Sequence, residues 1–213
     1  MGNYSKGANG TISGKFGSVV GSSWRGIDYL RGLPKKSKKP ISDLQLAVRA
    51  KFALSAAQLS PIKDVLYIGF GDKKLSTITG YNAAVRVFIS TCILGEYPDY
   101  TVAYPKMQLS KGGGVTPQLK HVSLEVDGGG MLTLNWTYVP KRNAFADDTV
   151  MAVVYNTTSK LYEVNDSATR AEDTLTIDMD ADAGNVLHIW IFCITRDGLK
   201  VSATQYVGSV TLP

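Results

Sequence analysis

Between Leu132 and Tyr138 the sequence alternates without a break, with Leu132, Leu134, Trp136 and Tyr138 set against Thr133, Asn135 and Thr137. A period of two sends successive side chains to opposite faces, so this stretch is predicted to be a strand with one face inward. Trp136 is predicted to be a core residue. Apolar and β-branched runs recur near 120–126, 150–156, 160–164, 174–179, 186–195 and 200–211. Turn-forming groups separate them: Asp127-Gly128-Gly129-Gly130, Asn165-Asp166, Asp182-Ala183-Gly184-Asn185 and Asp197-Gly198. Each combines residues that accept positive φ or bond their own backbone, which is what a reversal between strands needs.

Seven short strands in roughly a hundred residues predict an immunoglobulin-like sandwich over 115–213. The LTLNWT strand and the late Asp197-Gly198 hairpin resemble a fibronectin type III module.

The preceding third of the chain has a different period. Ser42 and Gln45 fit a capping box that opens a helix, and Leu44, Val48, Phe52 and Leu59 form its apolar stripe. Pro61 closes it. A connector with a Gly69-Phe70-Gly71 turn is predicted over Ile62 to Leu75. A second helix is predicted from about Thr79 to Ile93, with Tyr81, Val85, Phe88, Ile89 and Cys92 inward and Gly95 as its C-cap. Two amphipathic helices in succession predict a helical hairpin packed on a β layer. Lys111-Gly112-Gly113-Gly114 reads as the hinge into the sandwich.

Residues 1–33 carry glycines at 2, 7, 10, 14, 17, 21, 26 and 32. Some have helical spacing, but each interior glycine costs a helix about 1 kcal/mol relative to alanine. Thr11 to Leu30 is therefore predicted to be extended, bulged strand. So short and Gly-rich a segment cannot build its own core, and must lie on something else. Val19, Val20, Trp24, Arg25, Ile27 and Tyr29 are its candidate interaction residues. Pro34 to Pro40, with four lysines, reads as an extended, solvated tether. The predicted class is thus α+β: a Gly-rich β arm (1–33), a basic linker (34–41), a helical-hairpin region (42–114) and an immunoglobulin/fibronectin-III-like sandwich (115–213).

Charge is distributed unevenly within a net +5. Residues 1–40 hold eight cations against Asp28 alone, whereas residues 121–213 hold six cations against twelve carboxylates. A basic front and an acidic rear can complement each other between copies. The front could also meet nucleic acid, but no aromatics interleave with the linker lysines and the rear is acidic, so a nucleic-acid partner is not expected. No apolar run reaches the length of a membrane span, and no membrane partner is expected. The opening MGNYSKGANG lacks the apolar core of a secretory signal. Cys92 and Cys193 fall in predicted core segments and are expected to be free thiols.

The residue types that carry catalysis are sparse. Gly10 to Gly14-Lys15 has one residue too few for a phosphate loop and continues with Phe16. The two histidines, His121 and His188, fall in separate predicted strands. Cys193 follows His188 by five residues, which puts the two on opposite faces of a regular strand. Asp178, Asp180 and Asp182 alternate before Gly184 and are the candidate metal ligands, although an acidic strand end is the plainer expectation. Asp147-Asp148 shows no partner. No catalytic residue and no cofactor are expected.

Several stretches carry a resemblance over nearly the full length. They are Gly14 to Ile27 (GKFGSVVGSSWRGI), Ile68-Gly69-Phe70, Tyr81-Asn82-Ala83-Ala84, Gly95 to Asp99, Leu109 to Gly112, Ala168-Thr169-Arg170 and Val201 to Gly208. In that order they resemble a domain-of-unknown-function family of Bacteroidales bacteria and their phages. The family has no assigned activity, so the resemblance supplies no catalytic residue. Its phage occurrence, with the arm and the sandwich, points to a non-enzymatic structural protein of a phage particle. Such a protein would be made in the host cytoplasm, reside in the virion, and contact copies of itself or other virion components. The alternative is a cell-surface or glycan-binding module of a Bacteroidales bacterium.

Overall fold

Two strands near the C-terminus are apolar at almost every position, and that requires both of their faces to be covered. In the computed structural model, which describes residues 3–4, 10–35, 39–71, 78–113, 116–179 and 184–212, these are β9 (Thr149–Asn156) and β12 (Val186–Ile194). They pair antiparallel at the centre of a four-stranded sheet, flanked by β10 (Tyr162–Thr169) and β13 (Gln205–Thr211). A three-stranded sheet faces it, in the order β11 (Thr174–Asp178), β8 (Met131–Thr137), β7 (Lys120–Val126). Seven strands divided this way form an immunoglobulin-like sandwich in the fibronectin type III arrangement, with the fourth strand on the larger sheet.

Alternate residues of the two central strands enter different cores. Val150, Ala152 and Val154 join Ile189, Ile191 and Cys193 between the sheets, with Leu132, Leu134 and Trp136 opposite. Trp136 is buried as its position predicts, and its indole N–H donates to the Arg170 carbonyl at 2.9 Å. Met151, Val153 and Tyr155 join Trp190 and Phe192 on the other face, against the helices. The helical region and the sandwich therefore share a sheet and a second core.

Among the described residues, that outer layer contains three helices. α1 (Asp43–Leu59) starts at the predicted cap, where Ser42 Oγ accepts from the Gln45 N–H at 3.4 Å and the Gln45 side chain accepts from the Ser42 N–H at 3.3 Å. α2 (Lys63–Phe70) occupies the segment expected to be a connector. Val65, Leu66 and Gly69 are spaced to put one face of this short helix into the core; Gly69 and Phe70 of the expected turn are its last residues, and Gly71, at φ 66°, ends it. α3 (Gly80–Thr91) is capped by Thr79. It ends at Cys92, so Gly95 is not its C-cap. Gly95 instead lies in the turn between β5 (Ile93–Leu94) and β6 (Thr101–Val102), with φ 88° and no room for a side chain against the Asp99 carbonyl. Asn165-Asp166 likewise does not end a strand; β10 runs through it with a register shift between Asn165 and Ala168.

The predicted stripe of α1 is only partly used. Leu59 is buried, whereas Leu44, Val48 and Phe52 are 80%, 67% and 55% exposed. Only the last turns of α1 enter the core, through Ser55 and Leu59. A helical period identifies which face is apolar but not how far along the helix a partner extends.

The arm is extended, as its glycines suggested, but the expected bulges are absent from its described pairings, which run in continuous register. β1 (Asn3–Tyr4), β2 (Ile12–Phe16), β3 (Val19–Trp24) and β4 (Ile27–Gly32) form an antiparallel sheet in sequence order. Arg25 and Gly26 make the two-residue loop between Trp24 and Ile27, both at positive φ (50° and 84°). This is the backbone that a tight hairpin requires, and a glycine at its second position relieves half the strain.

Candidate interaction surface

The register of the arm sorts its residues into two faces, because directly paired residues lie on the same side. Val20, Trp24, Ile27 and Tyr29 share the first face, with Arg31 opposite Val20, Tyr29 opposite Ser22 and Lys15 on the other side of Val20. The second face holds Phe16 opposite Val19, and Leu30 opposite Gly21. Val19 thus parts from the other candidate residues, and Arg25 sits in the turn. Leu30 belongs to this surface although its sequence context did not single it out.

The start of β2 crosses the second face. The Ile12 carbonyl closes over Gly21, where any side chain would collide with it. Thr11 Oγ1 donates to Asp28 Oδ2 at 2.8 Å. Val19, Trp24, Ile27, Tyr29 and Leu30 remain exposed, Ile27 by 53% and Leu30 by 59%. Among the described residues, neither hydrophobic core includes a residue of the arm.

The groups suited to chemistry are held in structural roles. Arg170 is buried beneath the sandwich, where its Nε donates to Asp148 Oδ2 at 3.0 Å and its Nη2 to the Pro117 carbonyl at 2.7 Å. Asp148 also accepts from the Phe145 N–H at 3.1 Å. The acidic pair that showed no partner in sequence therefore has two: Asp148 meets Arg170, and Asp147 meets Arg196 at the surface at 3.6 Å. A salt bridge between residues so far apart in the chain leaves no local pattern.

His188 stacks on Tyr104, with ring centroids 4.2 Å apart, and its Nδ1 is 2.8 Å from the Tyr206 hydroxyl. Cys193 points the other way, into the sandwich core, as the strand parity requires. Gln58 joins Tyr155 and Tyr162 by donating to one hydroxyl at 3.3 Å and accepting from the other at 3.2 Å. Burial raises the phenols here, Tyr104 to about 12 and Tyr162 further. Burial also pushes the Cys193 thiol up to about 12 and raises that of Cys92, which favours the protonated thiol at both.

Burial lowers the His188 pKa from its ordinary 6.5. The folded protein favours neutral His188, so this contribution to stability is intact above about pH 6.5. As pH falls below that value the unfolded chain takes up a proton that the folded chain resists, and stability declines until His188 protonates in the fold as well. We expect His188→Gln to flatten the fall in melting temperature between about pH 7 and pH 5. Parallel slopes for variant and wild type would contradict this.

Of the candidate metal ligands, Asp178 ends β11, while Asp180 and Asp182 lie outside the described residues. Among the described residues no three histidine, cysteine or acidic side chains converge, and no helix is long and apolar enough to cross a membrane. A cleft of about 120 Å³ at one end of the sandwich is lined by Asn143, Phe145 and Arg196. It is smaller than the roughly 300–1,000 Å³ of ordinary small-molecule sites, whereas an open groove lined by Leu124, Val126 and Val210 holds about 620 Å³.

Architecture and surface together define a fibronectin-III-like sandwich backed by a helical layer and preceded by an exposed β arm. The chain belongs to the family of unknown function DUF6266, whose family model matches residues 11–208. The match begins inside the arm and ends within the last strand, β13. No curated protein matches the chain. Among solved structures, the fn3 domain of the human collagen alpha-1(XX) chain is similar at 17% identity, covering 49% of this chain and 93% of that one, with a TM-score of 0.36.

Proposed function

We propose that this chain is a non-enzymatic assembly protein that docks through its N-terminal β arm and displays the sandwich, as a structural component of a phage particle. The observation that carries this reading is the arm's exposure. A small sheet with Trp24, Ile27 and Tyr29 open on one face and Val19 and Leu30 open on the other gains little from folding alone. Apolar side chains on both faces of an isolated sheet mark a contact surface. Lys15 and Arg31 beside the aromatics on the first face suit a partner surface that carries carboxylates.

The engagement of His188, Arg170 and both cysteines in packing favours this reading over an enzyme. The particle is proposed on the sequence resemblance alone, which implies a family of Bacteroidales bacteria and their phages. The test compares the full chain with one lacking residues 1–33, mixed with the other structural proteins of the particle. The full chain is expected to be incorporated, and the truncated chain to stay free while melting at the same temperature. Equal incorporation of both would refute docking through the arm. Absence of the protein from purified particles by mass spectrometry would refute the location.

A further inference from the structure

We propose that the second face of the arm, Phe16, Val19 and Leu30, docks on the uncovered half of α1 in a second copy of this chain. The inference rests on the assembly reading and names the partner of that same arm. Among the described residues, two stretches each group several exposed apolar side chains. One is the arm; the other is the row Leu44, Val48, Phe52, with Ile41 just before the helix. Residues four apart stand above one another on a helix, so this is a single straight row. At 1.5 Å per residue it runs about 12 Å. The five- and six-residue strands of the arm span about 16–20 Å, enough to lie along it. In the single chain Val19 and Leu30 of the arm and Leu44, Val48 and Phe52 of α1 all remain exposed, so these residues do not cover one another, while Phe16 is half-buried.

Charge selects which face of the arm turns toward the helix. The middle of α1 carries Arg49 and Lys51, and Lys51 reaches over the Tyr100 ring at 5.1 Å. Arg49 is exposed and lies one turn from Phe52, on the flank of the apolar row. The first face of the arm holds Lys15 and Arg31, which would repel these cations. The paired positions of the second face hold one charge, the Asp28 carboxylate. One of its oxygens accepts from Thr11, and the carboxylate supplies the charge opposite to that of Arg49. A contact between different surfaces of identical chains is head-to-tail, so it builds a ring or an open array, not a closed two-fold dimer.

The experiment uses the full chain and sedimentation equilibrium. Wild type self-associates. Leu30→Asp and Val48→Asp each weaken association at least about tenfold, because a charge then enters the apolar contact. Both variants keep the wild-type melting temperature, since neither residue lies in a core. Mixing the two variants restores a one-to-one complex and nothing larger, because only one intact arm and one intact helix remain. Asp28→Arg weakens association, and combining it with Arg49→Asp restores it.

A monomeric wild type, or a mixture that forms no complex, overturns the inference. If Leu30→Asp abolishes incorporation into particles while Val48→Asp leaves self-association intact, the arm docks elsewhere. The assembly reading then stands and this partner does not. An intramolecular cross-link between positions 30 and 48 in a monomer would show docking within one chain, and would equally overturn it.

Discussion

Replacing Arg170 with alanine is expected to destabilise the protein by about 3–5 kcal/mol, as found when one partner of a buried ion pair is removed. The guanidinium is almost fully enclosed, and its loss strands two groups together. Asp148 keeps a buried carboxylate without its cation, and the Pro117 carbonyl loses its donor. The two connections that Arg170 makes, to the approach to β7 and to the loop before β9, disappear with it. For a chain of this size the melting temperature should fall by about 6–20 °C. Replacing both members with apolar residues, as in Arg170→Met with Asp148→Leu, should cost less than either single change, because no charge remains buried. Denaturant titrations of the three variants measure this directly. A double variant less stable than both singles would mean that the pair's hydrogen bonds to the backbone, not the desolvated charge, dominate.

Trp190→Ala is expected to cost a similar 3–5 kcal/mol, the usual range for truncating a buried aromatic. The indole is fully enclosed between the four-stranded sheet and the helical layer, donates to the Tyr104 carbonyl at 3.3 Å, and packs near Tyr206. Its removal leaves a cavity where the two layers meet. Because β9 and β12 place alternate residues in both cores, the layers cannot unfold independently. Loss of helical circular dichroism and loss of sandwich structure should therefore coincide in one transition, shifted to lower denaturant. Trp24→Ala supplies the contrast. Trp24 is half exposed on the arm, and its loss should change stability by no more than about 0.5 kcal/mol. Two separate transitions in the wild type would show that the helical layer folds on its own.

The sandwich was legible because alternation and turn chemistry are local. Leu132 to Thr137 fixes which residues face inward whatever lies opposite, and Ser42 with Gln45 caps α1 without help from the rest of the chain. The short helix α2 was hidden because eight residues with three inward positions give too brief a period to separate from a loop. The Arg170–Asp148 pair and the stacking of Tyr104 on His188 were hidden for a different reason. Each joins residues from different elements, and nothing near Arg170 in sequence signals that its charge will be buried.

The arm shows the division most clearly. Its glycines and β-forming residues alone determined that it is extended, since helix is costly there; the turn at Arg25-Gly26 was decided by the structure. Its composition also determined that it lacks a core, because too few apolar side chains are present to enclose one another. Only the tertiary structure decided which of those side chains share a face, since strand register sets Val20, Trp24, Ile27 and Tyr29 on one side and Phe16, Val19 and Leu30 on the other. Only the tertiary structure decided that half of the α1 stripe stays uncovered, because burial depends on where the neighbouring helices end.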